Sequence, residues 1–443
     1  MQKAHGSKLK AHGSNARVAR QLVLLLIVAL VPRLVAGFWW QARQEDVPGV
    51  GFGFGDSQSY WTLAQAIARG EPYQYGSDEA RVFRAPGYPL LLAPIFLFGD
   101  DEPSVYLARA MSALFGTLAV GGVWWLGREL FNERAGLLAG AIAAVYPGAI
   151  AMSMLVLSEA PFCPLMLLNL ALWTAAWQAP SPRRAALLAV CAGLSAGAAA
   201  LVRPSWLLFS PFAIVAGLMI VKEKWRQLGV GVGVLVGLTL AMTPWWIRNA
   251  RVTGHFVPTT LQVGASLYDG LSPTASGASN MDFVVSFVEA ERRSKPAPSE
   301  GLPEEPFEYR LDRRLHGAAL AWASAHPGEA LRLAATKFTR IWNIWPNEPS
   351  LSSWPMRLMV AIAYVPVLLL AIAGAGRTIH RGWPYILCWL PAVYFTLIHV
   401  VFVSSIRYRQ PAMLPLIVLA AGFVVSCWKA SDENERRGTG DSC

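Results

Sequence analysis

Apolar residues in this chain come in blocks of about twenty, separated by short polar joints. A helix needs ~20 residues to cross a ~30 Å hydrocarbon core, and in lipid its backbone polar groups must pair within the segment. The blocks therefore predict membrane-spanning helices over 21–40, 104–127, 135–152, 159–177, 185–202, 205–221, 226–247, 356–376, 383–403 and 410–428. The short joints Arg128–Arg134, Gln178–Arg184, Lys222–Arg226 and Arg377–Arg381 are all basic. Counted from a cytoplasmic N-terminus, each joint falls in the cytoplasm, as does the tail with Lys429, Arg436 and Arg437, so the positive-inside rule holds throughout. Lys3, Lys8, Lys10, Arg17 and Arg20 precede the first run as in a signal peptide. The run from Gln21 to Trp40 exceeds a signal h-region and no small-residue cleavage site follows, which predicts a retained first helix.

On the opposite side the pattern leaves two long connections, 41–103 and 248–355, and loops of that length are usually functional. They divide the chain into a seven-helix module (1–247), a long second loop (248–355) and a C-terminal membrane module with a cytoplasmic tail (356–443). The first connection predicts an amphipathic helix over about Ser57–Gly70, with Trp61, Ala64, Ile67 and Ala68 near one face and Gly70 as its stop. The second carries a Pro-rich strip, Lys295–Pro306, then helical stretches near Phe307–Ala325 and Gly328–Asn343. Trp342, Trp345 and Trp354 close it, as rings do at a membrane interface. No internal repeat is visible.

Composition sharpens this picture. Of 443 residues 54% are hydrophobic and only 15% charged, against roughly 25% charged in soluble chains. The fold class is an all-α polytopic membrane protein. The net charge of +10 sits at the ends of apolar blocks, which fits topology and anionic membrane lipid and argues against nucleic acid as a partner. Cys163, Cys191, Cys388 and Cys427 lie in or beside apolar blocks and Cys443 ends the chain, so neither a disulfide framework nor metal-ligand spacing emerges. His255, His316 and His326 are spread over the second connection, and no metal site is expected.

Candidate chemistry gathers at the outer ends of the predicted helices. Asp56 follows Gly51-Phe-Gly-Phe-Gly55, where glycines allow close backbone approach. A carboxylate there can act as a general base toward an acceptor hydroxyl, or it caps the helix that follows; the two roles are compatible. Glu159, in Leu157-Ser-Glu-Ala-Pro161, is an acid at membrane depth and so a functional candidate; the plainer reading is a first-turn acid favoured by the helix dipole. Arg84, Arg203, Arg248, Arg407 and Arg409 run against the positive-inside trend. As a set they suit a lipid-linked phosphate, which guanidinium binds bidentately, although any one of them could be snorkelling to headgroups. Arg33, beside Pro32 in the first helix, is expected to meet a structural partner.

Several short motifs share this outer placement: Gly55-Asp-Ser-Gln-Ser-Tyr-Trp61, Phe83-Arg-Ala-Pro-Gly-Tyr-Pro89, Tyr146-Pro147, Leu157-Ser-Glu-Ala160, Leu201-Val-Arg-Pro204, Thr243-Pro-Trp-Trp-Ile-Arg-Asn249 and Arg407-Tyr-Arg-Gln-Pro411. In order and placement they resemble the GT-C fold glycosyltransferases that use polyprenyl-phosphate sugars. The nearest kin look like family 39, which includes protein O-mannosyltransferases and the bacterial lipid A aminoarabinose transferase. The resemblance implies a GT-C-like bundle in which Asp56 is the catalytic carboxylate and Glu159 helps shape the acceptor site. It implies that Arg84, then Arg248 and Arg407, hold the donor phosphate, with Tyr88, Arg203, Asn249, Tyr408 and Arg409 from the same motifs as further substrate-binding residues. The partners implied are a lipid-linked sugar donor and a lipid, glycan or protein acceptor. Many relatives carry two adjacent acids in the first loop, whereas Ser57 follows Asp56 here, so a divalent-cation cofactor is not supported. The extra outer domain of the eukaryotic protein mannosyltransferases is absent from this chain. The expected reaction is a single inverting displacement on the extracytoplasmic face of a bacterial inner membrane. The rivals are a transporter or flippase of a lipid-linked sugar, for which internal repeats and midplane polar groups are the usual signs, and an inactive membrane scaffold.

Overall fold

The computed structural model describes residues 2–45, 51, 52, 54–97, 104–294, 305–346 and 353–438. Gly53 of the glycine run, residues 295–304 of the Pro-rich strip and Cys443 lie outside them, as do the side chains of Lys3, Lys8, Lys10, Lys429, Arg436 and Arg437.

Every regular element among the described residues is helical. The first module holds α1 (Gln2–Glu45), α2 (Gly55–Arg69), α3 (Gly87–Leu92), α4 (Val105–Leu130), α5 (Glu133–Val145), α6 (Pro147–Met154), α7 (Glu159–Gln178), α8 (Pro182–Val202), α9 (Phe209–Ile220) and α10 (Lys224–Thr253). The second connection folds as α11 (Val263–Gly270), α12 (Phe283–Arg293), α13 (Phe307–Ala325) and α14 (Pro327–Ile341). The chain ends with α15 (Trp354–Thr378), α16 (Leu390–Val401) and α17 (Ile406–Gly438). The helices expected in the second connection are α13 and α14; α11 and α12 were not anticipated.

Seven helices among the described residues are long and apolar enough to cross a membrane: Ala16–Gln44, Val105–Leu130, Glu159–Gln178, Pro182–Val202, Lys224–Thr253, Trp354–Arg381 and Ile406–Trp428. The other three expected spans are broken or short. The 135–152 block becomes α5 and α6, bent by 57° at Tyr146. The 205–221 and 383–403 blocks become apolar helices Pro204–Ile220 and Leu390–Val401. Proline explains each interruption: Pro147 follows the bend, Pro204 opens a 3-10 turn, and Pro384 and Pro391 bracket another, each lacking an N–H and constraining the residue before it. Val23, Leu24, Ile27, Val28, Val31 and Val35 leave one side of α1 exposed and apolar, as a lipid-facing helix requires. Inside the bundle, α8 and α10 approach so closely that a Cβ on Gly193 would lie 2.0 Å from the Val234 carbonyl oxygen, and one on Gly237 2.1 Å from that of Val190. Small residues permit this backbone contact where lipid supplies no hydrophobic drive between helices.

The broken α5–α6 span leaves carbonyls that water cannot reach, and two buried arginines satisfy them. Arg33 of α1 donates to Ala144 O at 2.9 Å and Ala143 O at 3.0 Å, the last carbonyls of α5, and to Ala29 O at 2.7 Å. This is its expected structural partner. Arg109 of α4 donates through Nη1 to Met154 O at 2.7 Å, at the end of α6, and through Nε to Gln41 Oε1 at 2.7 Å. Residues 155–158 then run buried and irregular before α7 begins at Glu159. The caps thus hold the break that aims Glu159. Arg33→Met strips two carbonyls of their donors, and unpaired buried groups cost ~1–3 kcal/mol each. We expect a loss on the order of 3 kcal/mol, read as a lower thermal midpoint in detergent, with Arg33→Lys falling between; an unchanged midpoint for Arg33→Met would remove the cap from the account.

Candidate functional site

α2 forms because Tyr60, Leu63, Ala64 and Ala66 share its buried side. It stops where Gly70 takes φ 68 and returns its N–H to the last turn, a left-handed cap that glycine adopts without a Cβ penalty. Phe54 occupies the N-cap position with no side-chain bond, so Asp56 lies inside the first turn and its carboxylate does not cap the helix. It faces Arg84 instead: Arg84 Nη2 donates to Asp56 Oδ1 at 2.6 Å. The same guanidinium donates through Nε to Ser59 Oγ at 3.0 Å and through Nη1 to Gln262 Oε1 at 2.7 Å. It also lies 5.1 Å from the Tyr60 ring centroid. Burial works against the Arg84 charge, but Tyr60 and Asp56 outweigh it and hold the guanidinium above its usual pKa.

The second acid is deeper. Glu159 is 2% exposed at its side chain, against 41% for Asp56. Arg203 Nη1 stands 3.0 Å and Arg407 Nε 3.1 Å from Glu159 Oε1. Neither approach is aligned as a hydrogen bond to that oxygen, so these are ionic contacts. Arg407 Nη2 also lies 3.7 Å from Asp56 Oδ2 and donates to Tyr408 OH at 3.1 Å. The Tyr408 ring in turn stacks on His399 at 4.2 Å. Arg407 therefore joins both carboxylates. Among the described residues three guanidiniums (Arg84, Arg203, Arg407) face two carboxylates, leaving one positive charge over in a cluster half open on the Asp56 side. Such a cluster favours an anion, and low local dielectric strengthens the preference.

Close backbone approach brings these elements together. A Cβ on Gly87 would sit 2.6 Å from the Leu201 carbonyl carbon, so the turn after Arg84 packs directly on the end of α8, next to Arg203. Tyr88 is buried there with its ring edge-on to Tyr60 at 5.0 Å. The remaining candidates hold backbone. Arg248 donates through Nη1 to Arg81 O at 2.7 Å and through Nη2 to Tyr73 O at 3.3 Å. Asn249 Nδ2 donates to Val257 O at 3.1 Å. Arg409 donates to Ile341 O at 3.1 Å and to Asn343 O, with its guanidinium 3.7 Å from the Tyr364 ring centroid. None of these three pairs with Asp56 or Glu159. Ser59 and Tyr60 were legible as neighbours of Asp56 three and four positions along one helix face. Gln262 sits just ahead of α11 in an irregular stretch, where no sequence periodicity marks it. Among the described residues no three His, Cys, Asp or Glu side chains gather as metal ligands.

Residues 84–247, a little over a third of the chain, match the family model described as dolichyl-phosphate-mannose-protein mannosyltransferase. The matched stretch opens at Arg84 and includes Glu159 and Arg203. The fold is similar to the archaeal oligosaccharyltransferase AglB from Archaeoglobus fulgidus, solved with an inhibitory peptide and a dolichol-phosphate: TM-score 0.60, 14% identity, covering 97% of this chain and 52% of that one. The apo form of the oligosaccharyltransferase from the same organism gives TM-score 0.58 at 15% identity, covering 95% and 52%. This chain thus spans about half the length of those proteins, and at such identity the likeness is one of fold. ArnT from Cupriavidus metallidurans bound to undecaprenyl phosphate, at TM-score 0.43 and 19% identity over 90% of this chain and 76% of that one, is too loosely similar to carry weight. No curated protein sequence matches. The GT-C resemblance read from the motifs is borne out by the family match and the fold.

Proposed function

We propose that this GT-C chain is a membrane glycosyltransferase that moves a sugar from a polyprenyl-phosphate donor to a lipid, glycan or protein acceptor by inverting displacement. The observation that carries the reading is Arg407 bridging Asp56 and Glu159 within a cluster one positive charge in excess. A sugar phosphodiester brings one negative charge and balances that excess. The donor phosphate competes for Arg84 and Arg407 and frees Asp56, the more open acid. Asp56 then takes the proton of an acceptor hydroxyl or amine as that atom bonds to the anomeric carbon. The bond from that carbon to the phosphate oxygen breaks, and the lipid phosphate leaves with one more negative charge, held by the guanidiniums. Glu159, enclosed between two arginines, fixes their positions and is too buried to act as a nucleophile.

Chain direction supports an extracytoplasmic location. Glu159 opens α7 and Arg203 follows α8, while the basic joint Gln178–Arg184 lies at the other ends of both helices. With that joint cytoplasmic, the cluster faces the extracytoplasmic side of a bacterial inner membrane, and both termini are cytoplasmic.

The test is transfer by the purified protein in liposomes. Extracted polyprenyl-phosphate sugars are supplied with membrane acceptors, and released polyprenyl phosphate and the anomeric configuration of the product are measured. Donor cleavage with inverted product supports the reading. Passage of intact lipid-linked sugar across the bilayer without cleavage would replace it with a transporter.

A further inference from the structure

Arg84 is presented by a segment without regular structure, in which residues 81–84 are bends. Its backbone therefore needs partners from elsewhere. Arg81 N and Val82 N both donate to one oxygen, Glu308 Oε2, at 2.9 Å each. Two successive N–H groups converge on one carboxyl oxygen, as in a nest, filled here by a side chain 227 positions away along the chain. Glu308 lies in the first turn of α13, where the helix dipole favours an acid, and the residue is only 8% exposed. Leu261 N donates to Val82 O at 2.9 Å, and the next residue, Gln262, accepts from Arg84 itself. α11 and α13 act as one piece. Gly264 N donates to Asp312 Oδ1 at 2.7 Å, and a Cβ on Gly264 would meet Asp312 O at 2.1 Å. The segment that aims Arg84 at Asp56 is thus clamped by the second connection from both sides.

We propose that Glu308 is a positioning residue, which fixes the Arg81–Val82 backbone so that Arg84 stays on Asp56 and thereby couples the second connection to the reacting acid. The activity arm of the test rests on the glycosyltransferase reading; the clamp itself does not. Burial pushes the Glu308 carboxyl up to about 7, with Asp312 adding to the shift, while the two amides and Arg248 oppose it. Glu308 Oε1 is buried without a partner, consistent with the cost of ionising it. Because the folded pKa lies above the ordinary 4.5, the folded state keeps a proton that the unfolded state releases. The resulting stability is full below about 4.5 and is lost as pH rises through about 7.

Glu308→Ala and Glu308→Gln are to be compared in the full-length protein, scaled to folded fraction. Glutamine keeps an oxygen for the two amides and removes the titration; alanine removes both. Expected are at least about tenfold faster hydrogen exchange at Val82 and about a tenfold lower kcat/KM for the lipid-linked donor in Glu308→Ala, with Glu308→Gln within about threefold of wild type on both. Between pH 5 and 8 the thermal midpoint should fall more in wild type than in Glu308→Gln. Wild-type exchange and wild-type kcat/KM in Glu308→Ala would overturn the proposal, and so would a lower midpoint with both of them unchanged. If wild type transfers no sugar at all, the function reading fails, and the exchange at Val82 still decides the clamp.

Discussion

Asp56→Asn is expected to lower kcat for sugar transfer by about 10²–10⁴-fold, the range for losing a positioned general base, at equal protein level. The substitution is close to isosteric, and its amide oxygen still accepts from Arg84, so the fold should hold. It cannot take a proton. It also removes one negative charge from a cluster of three guanidiniums and two carboxylates, doubling the positive excess. The donor KM should therefore stay level or fall while kcat collapses, which separates loss of chemistry from loss of binding. Steady-state transfer with varied donor checks this. An unchanged kcat would take Asp56 out of the reaction, and a raised KM at normal kcat would make it a binding residue.

The second large effect is expected at Arg407. Among the described residues its guanidinium is the one that contacts both acids. Arg407→Gln leaves Glu159, at 2% exposure, with Arg203 as its one ionic partner among the described residues. Removing one partner of a buried ion pair costs about 3–5 kcal/mol, so a clear drop in thermal midpoint is expected. Loss of the surplus charge should also raise the donor KM by at least about tenfold. Arg407→Lys should recover little, because an ammonium cannot reach two carboxylates through separate nitrogens of one rigid plane. Arg407→Gln combined with Glu159→Gln gives the decisive arm. It should destabilise by less than the sum of the two single variants, since both remove the same ion pair, yet leave donor binding impaired. If the two losses simply add, the pairing is not what holds Arg407 in place.

Arg407 and Arg409 are two positions apart and read alike in sequence, as outer-end arginines beside Tyr408. Near the start of a helix that spacing turns side chains about 200° apart. One meets the carboxylates, and the other is buried against Ile341 O and the Tyr364 ring. Arg84 and Arg248 divide in the same way: one reaches Asp56, while the other props the backbone at Arg81 and Tyr73. A residue type at a helix end signals a charge that needs a partner, and only packing says which partner it finds.

What the sequence determined by itself is what local physics enforces. Apolar runs must become helices where no water can satisfy a backbone. Basic joints orient those helices, and a glycine such as Gly70 stops the amphipathic α2 where its pattern ends. The motif order brought the GT-C resemblance and the two acids into view. The tertiary structure alone decided which apolar runs break, since Pro147 permits a bend that Arg33 and Arg109 make tolerable by meeting the freed carbonyls. It alone joined Asp56 to Glu159 through Arg407, and Arg84 to Gln262 and, through the backbone at Arg81 and Val82, to Glu308. Those partners lie some hundred to more than three hundred residues apart. Their meeting is set by how helices stack and loops close over them, and no short-range pattern encodes that.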